Sequence, residues 1–103
     1  MESPVPRSLE ECFAVLKARL SKESLEKFKN EGEEVAVSEK FWLGIWIRDV
    51  WGLWDGSQLA KYFRDMGVDH PNDMSTIIMM SFHRYLNDED IKLEEQIKQT
   101  RKR

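Results

Sequence analysis

The residues with chemistry to offer are few. His70 and His83 are the two histidines of the chain, and with Asp69 and Asp73 nearby they are the groups from which an acid–base or metal site would be built. They stand thirteen residues apart in different local settings, and neither forms the i, i+4 pair that marks a metal-binding helix. The structural reading makes His70 a loop residue ahead of Pro71 and places His83 on or beside a packed face. A small hydrolase or metal-dependent enzyme using His70, Asp73 and His83 is the alternative function, and it requires the three side chains to converge. Cys12, the one cysteine, lies on an apolar stripe with Leu9, Phe13 and Leu16 and reads as a small buried hydrophobe rather than a nucleophile. Ser57, Ser75 and Ser81 have no glycine-flanked elbow, and the five scattered glycines form no phosphate loop. The sequence assigns no catalytic residue, no cofactor and no metal ligand, and points away from an enzyme.

The four tryptophans carry more information. Trp42, Trp46, Trp51 and Trp54 fall within thirteen residues, and a small core can hardly bury all four while giving each indole N–H a partner. The structural expectation is two or three in the core and one as a lid. The functional one is that Trp51 or Trp54, beside Arg48, forms an aromatic and arginine patch of the kind enriched at protein interfaces. Arg48 as a structural clamp needs a carboxylate from another segment, with Asp55 or Asp73 as candidates.

Local patterns supply the elements that position these residues. Residues 1–7, with two prolines, read as an extended lead-in. Ser8 and Glu11 form a capping box for a helix whose Leu9, Cys12, Phe13, Leu16 and Leu20 recur at helical spacing. A short second helix starts at Ser21 with Leu25 and Phe28 inward, and the polar stretch Asn30 to Glu34 reads as a loop. Residues 35–54 have no polar face between Phe41 and Ile47. Helix starting at Ser38 is favoured, with Gly44 permitting close approach; the competing hairpin pairs 35–37 with 41–47 across Ser38, Glu39 and Lys40.

Further along, Asp55-Gly56 marks a turn, and Ser57 caps a helix with Leu59, Phe63 and Met66 inward. Gly67 supplies its left-handed end. Pro71 suits the first turn of the next helix, with Asp73 placed to cap it or to complement its positive end, and Met74, Ile77, Ile78, Phe82, Tyr85 and Leu86 packed. Residues 88–103 read as a charged last helix or tail. The expected architecture is all-α, one domain over 8–87 with five or six short helices around Phe13, Leu16, Ile45, Leu53, Phe63, Ile77, Ile78 and Phe82. The minor alternative is a small α+β fold with a hairpin near 35–47.

A chain of 103 residues supports one core and excludes a multi-layered enzyme. Its 19 acidic against 16 basic residues, a net charge of −3, supply no clustered positive field, so neither nucleic acid nor an anionic membrane is expected as a partner. Lys102 and Arg103, with Arg101, are too few to make a basic arm. A single cysteine excludes an internal disulfide, and no signal peptide or membrane-length apolar run is present, so the cytoplasm is the expected location.

The run Ile47-Arg48, Trp51-Gly52-Leu53-Trp54, Ser57, Leu59, Tyr62-Phe63, Gly67-Val68, His70-Pro71 and Asp73-Met74-Ser75 resembles a bacterial family of small helical domains of unknown function. The resemblance covers roughly residues 9–86; Asn72 stands where that family usually has aspartate after the proline. It implies a bacterial source and a helical domain in which Arg48, Gly52, Trp54, His70, Pro71 and Asp73 are shared, and it brings no activity with it. The expected function is a non-enzymatic protein-interaction module contacting its partner through Arg48, Trp51, Trp54, Asp69, His70 and Asp73. Its most specific form is an immunity or inhibitor protein that blocks a bacterial toxin, because acidic surfaces complement basic nuclease clefts.

Overall fold

The computed structural model of the protein describes residues 5–39 and 41–101, without the side chains of residues 38, 39 and 41. Three of its helices start where a serine says they should. Ser8 accepts the N–H of Glu11 to open α1 (Leu9–Arg19), Ser21 accepts that of Ser24 to open α2 (Lys22–Asn30), and Ser57 that of Ala60 to open α5 (Gln58–Asp65). The Glu11 carboxylate also reaches back, but to the N–H of Arg7, one residue before the position a capping box uses. Only residues 5–7 of the expected lead-in are described; they have no regular structure, yet Pro6 is fully buried.

The polar stretch at 30–34 is shorter as a loop than its composition suggests. Residues 31 and 32 connect α2 to α3 (Glu33–Glu39), whose first turn closes through the Ala36 N–H on the Gly32 carbonyl at 2.8 Å. Glu33 and Glu34, two of the residues that made the segment look like a loop, lie at the positive end of the helix, where carboxylates are favoured. The hairpin alternative is therefore wrong: Val35 and Val37 are helical, Ser38 and Glu39 end α3 rather than start the next helix, and α4 (Phe41–Val50) follows. Lys40, placed in the hairpin turn, lies outside the described residues. Among those described, the secondary structure is seven helices and no strand.

Helix exits follow one device used three times. After α4, Gly52 at φ +64° lets the Leu53 N–H return to the Arg48 carbonyl at 3.0 Å. After α5, Gly67 at φ +93° does the same for Val68 and the Phe63 carbonyl at 2.9 Å. Both are Schellman ends, and both turn a fully buried residue, Leu53 or Val68, back into the core. The third closes α6 (Pro71–Leu86), where Glu89 N–H bonds the Arg84 carbonyl at 2.8 Å; here the left-handed residue is Asp88, at φ +55°.

Helix α6 is the axis of the fold, and every other helix packs against it. Its Met74, Ile77, Ile78, Met79 and Phe82 are buried, together with Phe13, Leu16, Phe28, Ile47, Leu53 and Phe63 from the surrounding helices. Helix α4 crosses it closely. A Cβ on Gly44 would sit 3.2 Å from the Met79 Cε and 3.1 Å from an Arg48 nitrogen, so the glycine is where the helices need room. Helix α7 (Leu93–Arg101) is a separate element docked through Ile97 and Gln96. Ile45 leaves the expected core: it is 48% exposed, because the side of α4 that meets α6 is the one bearing Leu43, Gly44 and Ile47.

Candidate functional site

At 3.6 residues per turn, Trp42, Ile45, Trp46, Asp49 and Val50 share one outward side of α4. Trp42 is 54% exposed and Val50, like Ile45, 48%, while Trp46 is half-buried. Trp46 is held in place from two directions: its ring meets Trp51 edge-on at 5.6 Å, and the Arg19 guanidinium lies over it at 5.2 Å. Leu16, Arg19, Leu20, Trp42, Leu43 and Trp46 enclose a shallow cavity of about 240 Å³ at the edge of this face. Three large apolar side chains presented together are unusual on the surface of so small a protein.

The tryptophans thus divide differently from the expectation of two or three in the core and one lid. Trp51 is buried and takes no part in any surface; Trp42 and Trp54 are mostly exposed. Trp54 meets the His70 ring edge-on at 5.6 Å, so the 48–54 segment and the 69–73 turn do come together, through those two rings. His70 is exposed and caps α6: its Nδ1 accepts the Asn72 N–H at 3.0 Å, so of the two roles open to Asp73 it is the complement to the positive helix end that the structure gives it. Asp73 sits in the first turn of α6 and lines an open groove of about 420 Å³ between α6 and α7, with Thr76, Met80, Arg84, Gln96 and Gln99. Asp69 is exposed.

Arg48 is a clamp, with a hydroxyl as its partner. Its guanidinium donates to the Ser75 Oγ at 2.8 Å, and that fully buried hydroxyl donates to the Asn72 carbonyl at 3.0 Å, tying α4 to the first turn of α6. The other proposed partner, Asp55, is exposed in the turn after α4.

The enzyme alternative fails on distance. His70 and His83 occupy the two ends of α6, which at 1.5 Å per residue puts them about 20 Å apart along its axis. Cys12 is fully buried, and burial pushes its thiol far above the usual range, which removes it as a nucleophile.

His83 instead belongs to a polar latch that the sequence did not disclose. Its Nε2 lies 2.7 Å from the Glu31 carbonyl, and its ring meets Phe28 edge-on. One residue on, Arg84 grips both carboxylate oxygens of Glu33, at 2.8 and 3.1 Å, and donates to the Ile91 carbonyl at 2.6 Å. Asn87 donates to the Lys29 and His83 carbonyls. These contacts fasten the α2–α3 connection to the last two turns of α6. A ligand atom from each of Glu33, His83 and Glu89 lies within 4.8 Å of the other two. His83 and Glu89 are six positions apart but Glu33 lies fifty positions before His83, so no local spacing signals the three together.

Among the described residues, no helix is long and apolar enough to cross a membrane. No curated protein sequence and no solved structure matches the chain. Residues 5–86, which run from the buried Pro6 through the end of α6 and carry the α4 face, the Arg48 clamp and the Trp54–His70 pair, match the family described as a domain of unknown function (DUF6794), and the chain belongs to that family.

Proposed function

We propose that this protein is a non-enzymatic protein-interaction module that docks its partner through the outward side of α4, with Trp42, Ile45 and Val50 as the apolar centre and Trp54 with His70 at one end. The observation that carries this reading is the exposure of three large apolar side chains, Trp42, Ile45 and Val50, along one side of one helix, whereas the other exposed large hydrophobics, Val5, Val35, Trp54 and Tyr85, are spread over separate segments. Exposed tryptophans make strong anchors because a large rigid ring gains contact area at little cost in conformational freedom. The excess of acidic residues favours a basic partner, and in its most specific form the module is an immunity or inhibitor protein for a bacterial toxin.

The test uses Ile45→Asp and Trp54→Ala in a tagged protein, with capture from its native lysate and thermal denaturation measured side by side. Both variants should stay folded and lose a partner that the native protein retains at one copy per chain. Retention of that partner by both variants would place the interface elsewhere and refute the reading.

A further inference from the structure

The polar latch at the end of α6 is under-satisfied in a way that calls for a cation. His83 is 5% exposed, and its Nε2, 2.7 Å from a backbone carbonyl that can only accept, must be the protonated ring nitrogen. The other nitrogen, Nδ1, is buried and has no hydrogen-bond partner among the described residues. Glu31, whose carbonyl orients the ring, has its own Oε2 buried and unpartnered as well. Both orphaned atoms can accept, so a hydrogen-bond donor or a metal ion would satisfy them, and the carboxylates of Glu33 and Glu89 gathered beside His83 favour the ion there. A histidine whose one ring nitrogen donates to a backbone carbonyl while the other is left with a free lone pair is prepared in the way metal-ligating histidines are.

From these observations we propose that Glu33, His83 and Glu89 bind a divalent ion of the zinc class, through His83 Nδ1 and one oxygen of each carboxylate. The donor set of one imidazole and two carboxylates suits such an ion, and three protein ligands leave a fourth position for water. Ligands on a tetrahedral zinc lie about 3.4 Å apart at bond lengths near 2.1 Å. A ring nitrogen of His83 and one oxygen each of Glu33 and Glu89 lie within 4.8 Å of one another, so closing the set on Nδ1 takes side-chain shifts of about an ångström or more, which the exposed Glu89 is free to make. Glu33 need not leave Arg84, since each of its oxygens keeps a second lone pair and the guanidinium then becomes the outer partner of a ligating carboxylate. The local charge also fits: the adjoining groove is lined by three acidic residues, Glu33, Glu89 and Asp90, and two basic ones, Arg84 and Lys92. An open groove of about 430 Å³ brings solvent to the two carboxylate ligands, Glu33 and Glu89.

The experiment is calorimetric titration of the metal-free protein with zinc chloride, paired with nitrogen-15 resonances of the histidine rings. The native protein should take up one equivalent with a displaced His83 Nδ1 signal. Glu89→Gln, at an exposed position that the fold does not need, should weaken binding by about tenfold or more. His70→Ala should leave binding unchanged. No saturable uptake, uptake unaffected by Glu89→Gln, or uptake that follows His70 instead would each overturn the assignment.

Discussion

Trp51 and Trp54 stand three residues apart, and truncating each to alanine should separate folding from surface. Trp51 is 2% exposed and Trp54 is 59% exposed. A tryptophan carries up to about 250 Å² of surface, and at about 25 cal/mol per Å² the hidden part is worth an upper limit near 6 kcal/mol for Trp51 and about 2.5 kcal/mol for Trp54. Truncation in a packed core costs about 3–5 kcal/mol, and scaling by the hidden fraction puts Trp54→Ala at about 1–2 kcal/mol. Against a total stability of about 5–15 kcal/mol for a domain of this length, the first loss is severe and the second tolerable. Urea unfolding followed by circular dichroism at 222 nm measures both, with an unchanged slope indicating that the same surface is exposed on unfolding. Equal losses for the two variants, or a loss below about 1 kcal/mol for Trp51→Ala, would refute the division of the tryptophans on which the docking surface rests.

Two further outcomes follow from backbone and burial. Asp88 holds a left-handed conformation at φ +55° where the equivalent ends of α4 and α5 use glycine, and it sets a negative charge at the negative end of α6. Asp88→Gly should therefore raise stability by about 1 kcal/mol in the same urea assay, and a loss would contradict the strain argument. Cys12 keeps its proton in the folded protein because burial raises its pKa, whereas in the unfolded chain it titrates near pH 8.5. The folded state then binds more protons than the unfolded one above that pH. Stability should fall as pH rises past about 8.5, by up to about 1.4 kcal/mol per unit, and Cys12→Ala should flatten the slope. Tyr62, shifted the same way chiefly by burial, adds to the fall above about pH 10. A flat profile from pH 8 to 10 in the native protein would contradict the burial of the thiol.

What could be read from the sequence was whatever a local rule encodes. The serine caps at Ser8, Ser21 and Ser57, Pro71 in the first turn of α6, and Gly67 at a helix end each act through neighbours within five residues, and each is found in place. Legibility ended where tertiary contacts decide. A segment apolar on every side, like 41–47, says that it is buried without saying which side faces inward, and only the packing on α6 turns Ile45 outward; of Trp51 and Trp54, the two surface candidates, the fold hides Trp51 against Trp46. Helix α3 was invisible because its carboxylates looked like a loop until α6 supplied Arg84 for one of them. His70 supplies the cap because an imidazole nitrogen accepts an N–H as an aspartate oxygen does, and Asp73 keeps the other role its position allows, at the positive end of α6. The latch joins Glu31 and Glu33 to His83 and Glu89, two pairs of residues at least fifty positions apart, for which a single sequence has no signal.

The central claim is that the outward side of α4 is where a partner sits. The most direct measurement replaces Ile45 with a photo-crosslinking phenylalanine derivative in the native cell and compares it with the same replacement at Lys61, an exposed position on α5 whose ammonium pairs with Asp65. The account predicts one defined crosslinked protein from position 45 and none of it from position 61. The same product from both positions, or from position 61 alone, would contradict it.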